Sequence, residues 1–204
     1  MSHYVKFRYE RAGAHIAAFD AVAELNAYRR KLLEQRLMGV DSNGVGFGNL
    51  SVRDGRTTSF YITGSATGGL PELTPTHCVR VVAYDFEKSW LRYKGTSIPS
   101  SESLTHAAIY ESDPTAAAVI HCHDSMLWRT LLHHLPTTSR AAAYGTPEMV
   151  YEIMRLPEDE RYAKKKDFRY GRTRRRDRRV RKKSRRGIQR VNAGAKVIIP
   201  LRRK

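Results

Sequence analysis

The sequence predicts a layered α/β domain followed by a strongly basic tail. Three observations predict it. Segments with strand character alternate with segments of helical periodicity over residues 15–155. Turn signals separate them. The charge is split unevenly: residues 1–157 carry 16 Lys and Arg against 15 Asp and Glu, a net of +1, whereas residues 158–204 carry 21 against 5, a net of +16. A basic excess spread over a domain would point to nucleic acid. Here the domain is close to neutral and the excess belongs to the tail. The 204 residues allow one domain with a sizeable core. Cys78 and Cys122 make no disulfide framework. The first residues, Met1-Ser2-His3-Tyr4, do not read as a signal peptide, and no apolar run reaches about 18 residues, so the expectation is a cytoplasmic protein with no membrane contact.

The elements follow in order. Ile16, Phe19, Val22, Ala23, Leu25, Leu32, Leu33 and Leu37 recur at roughly helical spacing, which predicts a helix over 15–38 ended by Met38-Gly39. Residues 41–48 are glycine-rich and predict a loop. Asn49 to Arg53 alternates as a strand does, and Asp54-Gly55 is a turn signal. Ser59 to Thr63 is the next strand by β-propensity. The run from Gly64 to Gly69 is a Gly/Ser/Thr loop after a strand. Such a loop can present N–H groups and hydroxyls to an anion, and serves equally well as a surface turn. Cys78 to Tyr84 and Trp90 to Lys94 predict paired strands. Ser103 to Glu111 predicts a helix capped by Ser101 or Ser103. Val119 to His123 is the central strand, Ser125 to His134 a helix, and Thr146-Pro147-Glu148 opens a helix through Arg155. His133-His134 reads as a solvated helix end.

The chemistry centres on His121 and His123. On a strand, positions i and i+2 point to one face, so two imidazoles can grip one ion from one side. Imidazole suits zinc and its neighbours, and two or three histidines with an open position is the catalytic pattern. Alone, such a pair is more often two polar residues at a strand end. Upstream lie Gly48-Asn49-Leu50-Ser51, Ile62-Thr63-Gly64-Ser65, and Pro99-Ser100-Ser101-Glu102 with His106 and Tyr110 behind it.

These segments, in this order, resemble the class II aldolase/adducin family over roughly residues 15–155. The resemblance implies a central, mainly antiparallel sheet sandwiched by helices. It implies a divalent metal, most often Zn2+, on His121 and His123. It implies Glu102 as catalytic acid or base, and Asn49, Ser65, Ser100 and Ser101 around a substrate phosphate. Without it, Glu102 would read as a helix N-terminal charge. The usual Pro-Ser-Gly of the phosphate loop is replaced here by Gly64-Ser65-Ala66-Thr67-Gly68, a departure from the pattern at the phosphate site. The implied activity is metal-dependent aldol cleavage or condensation of a small sugar phosphate. Epimerases, dehydratases and decarboxylases of the family keep the same metal site. The implied assembly is a homo-oligomer, tetrameric in the family. The alternatives are a non-catalytic adducin-like scaffold and a basic-tailed nucleic-acid-binding protein.

The tail departs from the family. Arg172 to Arg186 holds eleven Lys and Arg in fifteen positions, with Val180 its only apolar residue. The family pattern asks for a third metal histidine just beyond Arg155, then a strand and a closing helix; no histidine follows His134. One reading is a disordered nucleic-acid arm over 158–204. The favoured reading is a reading frame displaced by one base near Glu158-Asp159-Glu160. With free choice of synonymous codons, Lys166 to Asp177 read one base later permits R-I-F-V-M-G-G-H-E-E-G-I, and Arg178 onward permits a capped amphipathic helix. On that reading 1–157 is the domain, 158–204 is disordered apart from weak docking of Val197-Ile198-Ile199, and an exposed groove is left where the strand and helix would sit.

Overall fold

A computed structural model of the chain describes residues 5–16, 21–132, 134, 137–139, 141–143, 145–156 and 196–202. In chain order these form β1 (Arg8–Gly13), α1 (Ala21–Glu34), β2 (Gly39–Val40), β3 (Gly46–Phe47), β4 (Asn49–Arg53) and β5 (Phe60–Thr63). A 3-10 turn (Pro75–His77) leads to β6 (Cys78–Asp85), β7 (Trp90–Lys94), α2 (Ser103–Ser112), β8 (Ala116–His123), α3 (Ser125–Leu131), α4 (Pro147–Arg155) and β9 (Lys196–Arg202).

Seven strands make one sheet in the order β1-β7-β6-β5-β4-β8-β9. Only β1 and β7 run parallel; every other neighbour is antiparallel. This is the mainly antiparallel sheet the sequence predicts. Alternation along the strands gives it two apolar faces. Phe60, Ile62, Val79, Val81, Leu91 and Val119 pack with Leu104, Ala107 and Ala108 of α2 and with Val150 and Ile153 of α4. Leu50 and Ile120, cross-strand partners in β4 and β8, pack on the opposite face with Leu25 of α1 and Met38. The sheet is therefore sandwiched, with α2 and α4 on one side and α1 on the other.

Three local departures have clear causes. The helix expected to run to Met38 ends at Glu34. Arg36 takes a left-handed conformation (φ 57°), its N–H donates to the Leu33 carbonyl, and the Leu37 N–H donates to the Leu32 carbonyl. This is a helix stop usually built on glycine, and arginine in that place hides it from the sequence. The glycine-rich loop 41–48 contains half of a hairpin: Asp41 Oδ1 accepts from the N–H groups of Asn43 and Val45, which turns β2 back on β3. The first strand, β1, was not foreseen, because it is mostly exposed and shows no alternation.

The tail needs a correction. Lys196–Arg202 is not disordered: it pairs antiparallel with β8 along its length and covers the edge where a groove was expected. Ile198 joins the α2 face of the core, while Ile199 and Leu201 join the α1 face. Pro200 fits there because β9 is an edge strand, where a missing N–H donor is tolerated. The Arg-rich segment 172–186, the presumed disorder of 158–195, and His133 lie outside the described residues.

Arg29 ties α1 to the sheet's loops. It is fully buried, and its Nη2 donates to the carbonyls of Leu70 (2.5 Å) and Thr67 (3.0 Å), with Gly68 at 3.5 Å. Its Nε and Nη1 have no hydrogen-bond partner, and burial lowers its pKa. Removing the side chain should leave both a cavity and orphaned carbonyls. Arg29→Ala should therefore destabilise the fold by about 2–3 kcal/mol. Urea midpoints of the two proteins measure this; equal midpoints would show that the guanidinium holds nothing.

Candidate active site

The site is built on the β4–β8 pair. Asn49 stands directly opposite His121, and Ser51 opposite Val119, so Asn49, Ser51, His121 and His123 share the face that carries α2. The His121 and His123 Nε2 atoms lie 3.1 Å apart. The i, i+2 spacing has thus brought two ring nitrogens to one point. His121 is buried (2% exposed) and His123 is half-buried. Phe47 stacks on the His123 ring, with centroids 5.3 Å apart and planes 29° apart. Phe47 is fixed from behind by Gly68, where a Cβ would lie 2.2 Å from the Phe47 carbonyl oxygen. No side chain larger than hydrogen fits there, so the Gly68 loop seats β3 and β3 seats His123.

Asn49 meets His121 rather than open space. Its Nδ2 lies 2.9 Å from His121 Nδ1, while its Oδ1 is buried with no hydrogen-bond partner. Glu102, the residue before α2, is 2% exposed and accepts a hydrogen bond from the Thr105 hydroxyl at 2.9 Å. Neither Ser101 nor Ser103 caps that helix. The Ser103 hydroxyl donates to the Ser100 carbonyl, and the Glu102 N–H donates to Ser100 Oγ.

His106 sits one helical turn beyond Glu102. Its Nδ1 is 2.7 Å from Ser51 Oγ, which is also 2.7 Å from the Tyr110 hydroxyl. Its Nε2 is buried and has no partner. Burial pushes its pKa down to about 3; nearby His121 pushes the same way and Glu102 opposes. His106 is therefore a neutral imidazole between a metal-type histidine and a carboxylate. The Ser51–His106–Tyr110 cluster was not assigned a role from sequence, although all three lie within the quoted motifs. Their spacing shows nothing until β4 and α2 are packed together.

Ser65, Ser100 and Ser101 come from two segments held side by side. Gly64 bridges Pro99, and the Ser65 N–H donates to the Ile98 carbonyl at 2.8 Å. Ser65 and Ser101 are half-buried and Ser100 is buried. Ala66 occupies the place where the pattern has glycine, and it adopts φ 62°. Arg53 is a further residue missed in sequence. Its guanidinium donates to the carbonyls of Ala116, Tyr110 and Asp113 and stacks 4.5 Å over the Tyr110 ring, fixing α2 to β4 and β8.

The donor chemistry suits one divalent ion at the two imidazoles. A third protein donor is not in place, since no group of three His, Cys, Asp or Glu able to hold a metal occurs among the described residues. Cys122 points away in the alternation of β8, and burial raises its pKa to about 11. Among the described residues no helix is long and apolar enough to cross a membrane.

The domain is a mainly antiparallel α/β sandwich with a histidine pair ending β8 and a carboxylate just before α2, the helix on that face; β8, expected as the central strand, lies instead second from the edge, between β4 and β9. The chain belongs to the class II aldolase and adducin family: the family model of the class II aldolase and adducin N-terminal domain matches residues 30–169. Among solved structures, L-fuculose 1-phosphate aldolase is 28% identical over 70% of each chain, with a TM-score of 0.48. YgbL of Escherichia coli, for which aldolase, epimerase and decarboxylase activities have been put forward, is 23% identical (TM-score 0.40). YgbL of Klebsiella pneumoniae is 22% identical (TM-score 0.42). Both YgbL matches cover 57% of this chain and 51% of the other. No curated protein matches the chain.

Two outcomes are expected. A left-handed alanine costs about 1–2 kcal/mol, part of which a glycine loses again to its freer unfolded chain. Ala66→Gly should stabilise the protein by about 0.5–1 kcal/mol in urea unfolding, and a lower midpoint would show that the Ala66 methyl is packed rather than strained. The second follows from His106. Its folded pKa is depressed, so the unfolded chain takes up the proton first as pH falls. Stability should drop from about pH 6.5 downward, by up to about 1.4 kcal/mol per unit. The slope between pH 6.5 and 5 should lessen in His106→Gln; an unchanged slope would assign the acid sensitivity elsewhere.

Proposed function

We propose that this chain is a class II aldolase-type, metal-dependent lyase domain for a small sugar phosphate, weakened by the absence of a third histidine ligand. The single observation that carries the reading is the 3.1 Å convergence of His121 and His123 Nε2 on the face that carries Glu102. His121 and His123 would hold the ion, zinc by the resemblance, and the ion when bound supplies Lewis acidity to a substrate carbonyl. Glu102, out of water and oriented by Thr105, moves a proton at the neighbouring carbon. Ser65, Ser100 and Ser101 supply hydroxyls and N–H groups to the phosphate. The resemblance also places Asn49 on the phosphate; its amide contact with His121 argues for a different duty, so we assign it to the metal ligand. Epimerisation or dehydration would use the same groups, and the substrate is left at the level of its class.

The second reading is an adducin-like scaffold. What favours it is the lack of a third donor among the described residues. The segment beyond 157 takes no part in either reading. We propose that it stands in a displaced frame, and resequencing the gene around Glu158 tests that directly. A nucleic-acid arm would instead show DNA or RNA binding with a steep salt dependence. By the family pattern the domain would work as a cytoplasmic homo-oligomer.

Elemental analysis and Co2+ titration of the full chain separate the first two readings. Loss of even an outer partner of a ligand typically weakens metal binding about 10–100-fold. The expected result is therefore weak, substoichiometric metal that disappears in His121→Ala. Glu102→Gln should keep that Co2+ binding and lower any aldol cleavage by about 100-fold or more. No Co2+ uptake at millimolar concentration would favour the scaffold. Stoichiometric, tightly held zinc would overturn the two-ligand site.

A further inference from the structure

We propose that Asn43-Gly44 is a site of spontaneous deamidation, and that its isoaspartate product lengthens the β2–β3 turn and draws Phe47 off the His123 ring. The proposal stands apart from the proposed reaction, and its only co-reactant is water. Asn43 and Gly44 are both exposed at the tip of the hairpin. The tip is a three-residue loop. The Asp41 N–H donates to the Val45 carbonyl at 2.9 Å, the Gly44 N–H donates to the Asp41 carbonyl at 3.0 Å, and Gly44 takes the left-handed conformation (φ 77°) that closes such a loop. Glycine after asparagine leaves the main-chain nitrogen unshielded by any side chain. A Cβ built on Gly44 would meet nothing within 4 Å, so a ring closing there has room.

The Gly44 nitrogen gives its proton to water and attacks the carbonyl carbon of the Asn43 side chain. A C–N bond forms, the bond to the side-chain NH2 breaks, and the NH2 leaves as ammonia with a proton from water. Water then opens the succinimide at either carbonyl. Opening at the side-chain carbonyl gives aspartate. Opening at the main-chain carbonyl gives isoaspartate, in which the chain runs through the side-chain carbon and is one methylene longer. The Gly44–Asp41 hydrogen bond must open first. The hairpin resists this weakly, because β2 and β3 pair only as Gly39 with Phe47 and Val40 with Gly46, and Val40 is 54% exposed. Such a tip opens locally while the sheet stays folded. The added methylene has no slack to enter. Asp41 Oδ1 holds the N–H groups of Asn43 and Val45 at 2.9 Å each, which fixes the length of the turn. Behind β3, a Cβ on Gly46 would lie 2.7 Å from the Ala66 carbonyl oxygen, so β3 already touches the backbone of the loop beneath it. The longer turn therefore breaks the short ladder outward. Phe47 leaves with it and gives up the His123 ring, on which it stacks at 5.3 Å and 29°.

The test ages the full chain in mildly alkaline buffer and maps its peptides by mass spectrometry, beside a free peptide spanning residues 39–47. The expected result is that the peptide carrying Asn43 gains the mass difference between an amide and an acid, and co-elutes with a synthetic isoaspartyl standard. Asn43→Gln should show no such gain over the same time, since its ring would need six members. Proton NMR reads the consequence. While the rings are stacked, each shifts the other's protons by its ring current; in the aged chain the Phe47 and His123 signals should move to unstacked positions, with Phe47→Leu assigning the His123 shift. Asn43→Asp carries the new charge on a main chain of normal length, and should keep the stacked shifts. A full chain still unconverted when the free peptide is consumed would overturn the site. Stacked shifts persisting in the isoaspartyl chain, or lost in Asn43→Asp, would overturn the displacement by a lengthened turn.

Discussion

The antiparallel pairing of β4 with β8 is the constraint on which everything else depends. It sets Asn49 against His121, Leu50 against Ile120 and Ser51 against Val119. Side chains on a strand alternate with period two, so a slip of one residue would turn every one of them to the other face. Leu50 and Ile120 would then leave the α1 core, while Asn49 and His121 would enter it without partners. The register is thus enforced by apolar burial on one face, and the polar site on the other face inherits its geometry. The site needs no rigid scaffolding of its own at this level; its scaffold is the same hydrophobic pattern that folds the domain.

The polar face is nevertheless expensive to bury, and the molecule answers with satisfied hydrogen bonds. Ser51, His106 and Tyr110 share a hydroxyl; Arg53 gives its donors to the ends of α2 and β8. A partly satisfied polar network is worse than an apolar one. Among the described residues the atoms left over are Asn49 Oδ1 and His106 Nε2, around the proposed reacting centre, Arg29 Nε and Nη1, beneath the loop that seats β3, and Ser89 Oγ, in the turn between β6 and β7. Arg29 has a positional role. By drawing the carbonyls of Thr67 and Leu70 toward itself it shapes the loop whose Gly68 contacts Phe47, and Phe47 in turn stacks on His123.

Much of this was legible in the sequence. Alternation and propensity located β4 to β8, and the helical period located α1, α2 and α4, because those segments bury one face each. The i, i+2 histidines were legible because strand geometry fixes where positions 121 and 123 point before any packing is known, whereas Glu102 was singled out by the family resemblance alone. The residues that sequence could not assign act across elements. Arg29 and Arg53 serve carbonyls 38 to 63 positions away, and nothing local marks an arginine as buried. Arg36 ends a helix in a conformation that composition assigns to glycine. The contact of Asn49 with His121 is set by their opposition in the sheet, which the motif around Asn49 does not show.

Strand β9 shows how far generic physics can go without a specific sequence. The outer edge of β8 offers a row of backbone donors and acceptors, on a strand whose two faces are already buried. Almost any segment with apolar residues on both faces satisfies it, since the pairing is between backbones. Lys196–Arg202 has that property: Ile198 reaches one core and Ile199 and Leu201 the other. Edge pairing therefore says little about whether this segment evolved for the place. The side-chain requirement is separate: β9 lies along the strand that carries His121 and His123, and that pairing is made by backbone groups which any sequence supplies.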